Sequence, residues 1–189
     1  MIKAVIFDIG GVLLDDPQYL SFWKEYAESN KLREQFGTGK ISREAFIEKG
    51  SKLLDMSQER FLKEYSDAYS GMQENTLVID IYDHIKVPKN IFSDSNPIHY
   101  DFCKAKFPEL FNHASKIFLS FEIGFRKNNK QAYEYLLSKL PYAPNELIFI
   151  DNNIEYIRNA NSFGIYSVLY TNGISLKKEL LAIDHTLLD

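Results

Sequence analysis

Apolar residues occur along this chain in two patterns, short unbroken runs and spaced helical stripes, and the order of the two predicts the architecture. The run Ala4-Val5-Ile6-Phe7 ahead of Asp8 is too short for a helix and suits a strand buried on both faces, as in a parallel sheet. Comparable runs stand at 90–93, 116–119, 146–151 and 165–170, each separated from the next by a helix-length segment. That alternation predicts βαβ units and a parallel sheet. From Asp16 to about Tyr69 the period is helical only. Leu20, Trp23 and Ala27 share one face. A later helix follows Gly37-Thr38-Gly39, with Ser42 as its cap and Phe46, Ile47, Leu53 and Leu54 on its apolar side, and a third starts near Ser57 with Phe61, Leu62 and Tyr65 inward. The expected fold class is α/β. Residues 1–15 and 72–189 should form a three-layer Rossmann-like core of parallel strands with helices on both faces, and 16–71 a small all-α cap inserted after the first strand.

Composition narrows the partners. At 189 residues the chain can form one sizeable core with a small inserted subdomain. A net charge of −4 with no clustered Lys/Arg face argues against nucleic acid and leaves room for a compact anionic metabolite. Tyr and Phe are spread along the expected helices and strands, which fits packing better than a stacking platform. The lone Cys103 cannot form an internal disulfide, which is compatible with a reducing compartment. No apolar run approaches the ~18 residues of a spanning helix, and Met1-Ile2-Lys3 leads straight into the first strand. The expectation is a cytoplasmic protein with no membrane contact.

Four segments can carry chemistry, and three of them end a strand. Asp8 follows the first run and precedes Gly10-Gly11, a turn that lets backbone amides approach an anion without side-chain obstruction. Ile91-Phe92-Ser93-Asp94-Ser95-Asn96 ends a strand in hydroxyls beside a helix start. Lys127 lies in Gly124-Phe125-Arg126-Lys127-Asn128, before a helix that Asn128 and Gln131 can cap. Leu147-Ile148-Phe149-Ile150-Asp151-Asn152-Asn153 is again a strand ending in polar ligands. Singly, each has an ordinary explanation as a turn former, a helix cap or a solvated lysine. His84, His99, His113 and His185 share no close spacing and read as surface or helix-end residues.

In this order the four segments resemble the motif set of the haloacid dehalogenase superfamily, aspartate-nucleophile phosphatases and related enzymes. The resemblance spans nearly the whole chain: the Asp8 turn looks like the first motif, Ser93 the second, Lys127 the third and Asp151-Asn152 the fourth. The interval between Asp8 and Ser93 leaves room for a helical cap of the family's first type, and Gly37-Thr38-Gly39-Lys40-Ile41-Ser42 is similar to a common phrase in such caps. Small sugar-phosphate phosphatases typified by bacterial α-glucose-1-phosphate phosphatase also carry glycine two places after the nucleophile. The resemblance implies that Asp8 attacks phosphorus to form an aspartyl phosphate which water hydrolyses. It further implies that Ser93 and Lys127 hold the phosphoryl group with Gly10, Gly11 and Asp94 around it, and that Mg²⁺ binds through Asp8, the Gly10 carbonyl and the pair Asp151 and Asn152. The partner would be a small phosphorylated metabolite. Trp23, Arg33, Lys40 and Arg43 are the cap residues able to reach a substrate on closure.

Three departures from the pattern bear on activity. Most phosphatases of this superfamily have Asp, acting as general acid and base, where this chain has Gly10, so turnover should be slow. Asn152 replaces the usual second acid of the fourth motif, which should weaken metal binding unless Asp151 shifts inward to take the role. Asp94 stands where Asn is common; pointing inward it repels phosphate, pointing outward it is a helix-cap acid. Two other readings follow: an impaired relative that binds a phosphometabolite or protein partner, and a metal-free dehalogenase.

Overall fold

The computed structural model describes residues 1–15 and 27–188. The face expected from Leu20, Trp23 and Ala27 falls outside the described side chains. Elements follow in the order β1 (Ala4–Phe7), α1 (Ala27–Gly37), α2 (Arg43–Leu53), α3 (Gln58–Asp67), α4 (Thr76–His84), β2 (Lys89–Ser93), α5 (Pro97–Lys106), α6 (Pro108–Asn112), β3 (Lys116–Leu119), α7 (Ser120–Ile123), α8 (Lys130–Lys139), β4 (Leu147–Asp151), α9 (Ile154–Ser162), β5 (Tyr166–Leu169) and α10 (Gly173–Ile183). The five strands are parallel and lie in the order β3-β2-β1-β4-β5. Strands were expected at these places, with bounds that differ by a residue; Glu146, expected in β4, closes a short 3-10 turn instead.

Alternation within each strand divides the core. Val5, Phe7, Ile91, Ile148 and Ile150 face one apolar layer, whereas Ala4, Ile6, Phe92, Leu147 and Phe149 face the other with Tyr133 and Leu136 of α8 and Ile157 of α9. The first layer runs on without a break into α1–α3 through Phe36, Phe46, Phe61 and Tyr65. Phe36 and Phe46 stack at 4.0 Å, and Phe61 reaches this cluster because residue 50 is glycine: a Cβ there would lie 2.3 Å from its ring. Ser42 and Ser57 cap α2 and α3 as the sequence predicts. Among the described residues no helix is long and apolar enough to cross a membrane.

The strand order reverses direction at β1, which has β2 on one side and β4 on the other. Such a switch point opens a crevice beyond the strands' carboxyl ends. Register puts the candidate residues along that edge: Phe7 pairs with Ile91 and with Ile150, so Asp8, Ser93 and Asp151 all follow at the same end of the sheet.

Candidate active site

At the end of β1 the Asp8 amide donates to the Ile150 carbonyl at 3.0 Å, prolonging the ladder by one residue and fixing the carboxylate over the crevice. Its Oδ1 meets Lys127 Nζ at 2.8 Å, and the same ammonium lies 2.5 Å from Asp151 Oδ2. Lys127 and Asp151 are fully buried. Burial opposes the lysine's charge, but Asp151, Asp8 and Asp94 more than offset it and hold the pKa above that of an ordinary lysine. Burial pushes Asp151 up, with Lys127 pulling it down and Asp8 adding to the rise. Lys127 is therefore an interior cation, not the solvated lysine its isolated position suggested.

The loop that carries Lys127 is gripped from both sides. Asp94 Oδ1 accepts from the Lys127 amide at 2.9 Å and Oδ2 from the Tyr156 hydroxyl at 3.0 Å, while Asn159 Nδ2 donates to the Lys127 carbonyl at 3.1 Å. Asp94 is thus no helix-cap acid. The α5 cap is Asn96, whose Oδ1 accepts from the Ile98 and His99 amides, each at 3.1 Å. Likewise Asn129 caps α8 in place of Asn128, and Asn153 caps α9 in place of the Asp151-Asn152 pair. At the ends of β2 and β4 the acids Asp94 and Asp151 are held by the interior, and a residue farther along serves the helix.

A cavity of about 190 Å³ opens over these groups, walled by Asp8, Gly10, Ser93, Asp94 and Asn152 among others. Gly11, Lys127 and Asp151 stand behind that wall. Gly11 has φ 75°, and a Cβ on it would fall 2.0 Å from Asn152 Nδ2, so the Asn152 amide lies against the turn. Asp151 does not shift inward: Oδ2 is taken by Lys127 and Oδ1 accepts from the Asn153 amide at 2.8 Å. Asp8, Gly10 and Asn152 line the cavity and offer oxygen donors of the kind that suits Mg²⁺, and the Asp94 carboxylate lines the same wall.

Other wall residues were not anticipated. His99, expected at the surface, is buried: Nδ1 lies 2.8 Å from Ser95 Oγ and Nε2 lies 3.3 Å from Cys103 Sγ. Burial lowers its pKa to about 4 against the opposing pull of Asp8. His84, His113 and His185 are exposed as expected. Arg126 lines the cavity and pairs with Glu34 of α1 at 3.0 Å. Of the residues expected to reach the substrate from the helical block, Arg33, Lys40 and Arg43 do not line the cavity; Arg43 pairs with Asp101 on α5 at 3.0 Å, and Trp23 lies outside the described residues. The hint for Arg126 was its place next to Lys127. None marked His99, because one buried imidazole on a short helix leaves no spacing signal.

No protein-family model matches the chain. It is 22% identical over 206 residues to a D-ribitol-5-phosphate phosphatase from Bacteroides thetaiotaomicron, covering 97% of this chain and 98% of that protein. A haloacid dehalogenase family enzyme from the same organism superposes with a TM-score of 0.80 at 18% identity, over 95% of this chain and 98% of that one. That enzyme is also known in complex with magnesium and inorganic phosphate, with a TM-score of 0.77 at 19% identity over 92% of this chain and 96% of that one. L-2-haloacid dehalogenase from Xanthobacter autotrophicus shares the fold at a TM-score of 0.62 and 20% identity, over 96% of this chain and 83% of that one. Over nearly its whole length the chain has the fold of haloacid dehalogenase family enzymes.

Proposed function

We propose that this protein is a cytoplasmic, Mg²⁺-dependent phosphatase of a small phosphate monoester, a sugar or polyol phosphate, acting through an aspartyl phosphate on Asp8. The observation that carries this is the Asp8–Lys127 pair at 2.8 Å, at the centre of the sheet's ligand edge and beneath a polar cavity. Asp8 is the nucleophile: it forms a bond to phosphorus as the alcohol leaves, and water then breaks the acyl phosphate. Lys127 offsets charge on both carboxylate and phosphoryl oxygens, and Ser93 donates to the phosphoryl group. Asp8, the Gly10 carbonyl and Asn152 would hold Mg²⁺, which would neutralise charge on the phosphoryl group. The Ser95 hydroxyl and the Arg126 guanidinium line the same cavity and suit the hydroxyls of the leaving alcohol. Support for that class comes also from the full-length similarity to a ribitol-5-phosphate phosphatase. Residues 16–71 serve as the cap that closes over the substrate.

The test is phosphate release from a panel of sugar and polyol phosphates with and without Mg²⁺, scored against Asp8→Asn. Release should require both the metal and Asp8, and the variant should fold normally while losing all turnover. Gly10 and Asn152 favour a second reading, a phosphometabolite-binding relative without turnover, which absence of release across the panel would select. Halide release from a 2-haloacid without metal would select a dehalogenase instead.

A further inference from the structure

One guanidinium stands where the helical block meets the cavity. Arg126 lines the cavity together with Asp8 and Asp94, and it also lines a neighbouring groove of about 220 Å³ with Asn30, Arg33 and Glu34 of α1. It thus forms the partition between the two, with Arg33 on the far side. α1 holds it from there: Nε lies 3.0 Å from Glu34 Oε2, and a Cβ on Gly37 would fall 2.6 Å from Nη2. Nε is buried and makes no aligned hydrogen bond, so the contact with Glu34 is ionic and a donor remains unused. Among the described residues Arg126 is the one cation in the cavity wall, since burial keeps His99 neutral at pH 7. Behind that wall a single ammonium, Lys127, faces Asp8, Asp94 and Asp151. The phosphoryl group of a substrate adds further negative charge, and Glu34 already matches the charge on Arg126. A second anionic group on the substrate would meet no unmatched cation in that wall, whereas a hydroxyl can accept from the guanidinium without bringing charge into it.

We propose that Arg126, paired with Glu34, selects substrates whose leaving group is a neutral polyol and rejects phosphate esters that carry a second anionic group. The inference rests on the phosphatase reading: Arg126 donates to a hydroxyl of the leaving alcohol, and Glu34 is the positioning residue that withholds the guanidinium's charge from a carboxylate. Paired esters test it, a polyol phosphate against the phospho-acid of equal chain length, such as glycerol 3-phosphate against 3-phosphoglycerate and their five-carbon counterparts. Each pair differs only in a terminal CH₂OH against a carboxylate. With Mg²⁺ the wild type should favour the polyol ester by roughly tenfold or more in kcat/KM, mainly through KM. Glu34→Gln should bring that ratio toward one by lowering KM for the phospho-acid, and Arg126→Gln should raise KM for the polyol ester. Equal kcat/KM for both esters in the wild type overturns the proposal, as does a Glu34→Gln variant that melts like the wild type and keeps the full ratio. Calorimetric binding of the same esters to Asp8→Asn, with and without Glu34→Gln, reads the preference independently of turnover. Preferential binding of the polyol ester with no phosphate release from any ester by the wild type overturns the phosphatase reading alone, whereas binding of neither ester overturns both.

Discussion

His99 shows how a single side chain ties the site to stability. Its imidazole is buried against Ser95 and Cys103, and burial holds its pKa near about 4, so it is neutral at pH 7. In the unfolded chain the same group titrates at about 6.5. Below that pH the unfolded state takes up a proton that the folded state refuses. Stability from this group is therefore complete above about pH 6.5 and declines as pH falls toward 4, by on the order of 3 kcal/mol in total. Urea unfolding of the wild type should lose midpoint steadily across that window. His99→Gln should start less stable at pH 7 but lose less on acidification, and parallel curves would show that another group titrates. At Gly10 the relevant fact is its neighbour: the left-handed position in the turn is Gly11, with φ 75°, and Gly10 does not share that conformation. The backbone at 10 is therefore one that a side chain can adopt, and Gly10→Asp, which places an acid beside the leaving group, should raise phosphate release on the order of 10²-fold. An unchanged or lower rate would mean that the site has adapted around the glycine.

Between elements, one hydroxyl joins three segments. Ser120, fully buried at the start of α7, accepts from the Ser95 amide in the loop after β2 at 2.9 Å and contacts the carbonyl of Gly37, the last residue of α1, at 2.6 Å. The helical block is thereby fastened to the loop that carries Asp94 and Ser95, directly after Ser93 at the end of β2. Close approach makes this possible: a Cβ on Gly39 would lie 2.2 Å from the Phe121 carbonyl. Ser120→Ala leaves a buried N–H and a buried C=O without that partner, which costs about 1–3 kcal/mol. The expected result is a lower denaturant midpoint with unchanged steepness, and a midpoint within error of the wild type would show that the junction relaxes freely. Further ties come from Asn96, whose Nδ2 donates to the hydroxyls of Tyr65 and Tyr69 at 3.3 and 3.4 Å, and from the Arg126–Glu34 pair. Residues that wall the cavity thus also hold the helices over it.

At the scale of the whole molecule, sequence and tertiary structure determined different things. The strands and their parallel pairing were legible in the sequence, because short apolar runs separated by helix-length segments have few packings available. Asp8, Ser93, Lys127 and Asp151 were legible as candidates, since three end buried strands and parallel pairing carries strand ends to one edge. Helix starts at Ser42 and Ser57 were legible because capping is local. What each polar side chain faces was decided by contacts distant in sequence. Asp94 reads equally well as a cap or as an inward acid until the Lys127 amide, 33 residues on, is brought against it. Asp151 seemed free to approach a metal until Lys127 and the Asn153 amide occupied both its oxygens. His99 and Arg126 entered the cavity wall through packing between elements, which leaves no period in the chain. Local propensity and hydrophobic period are written in neighbouring residues, whereas the partner of a buried charge is set by whichever segment the fold delivers to it.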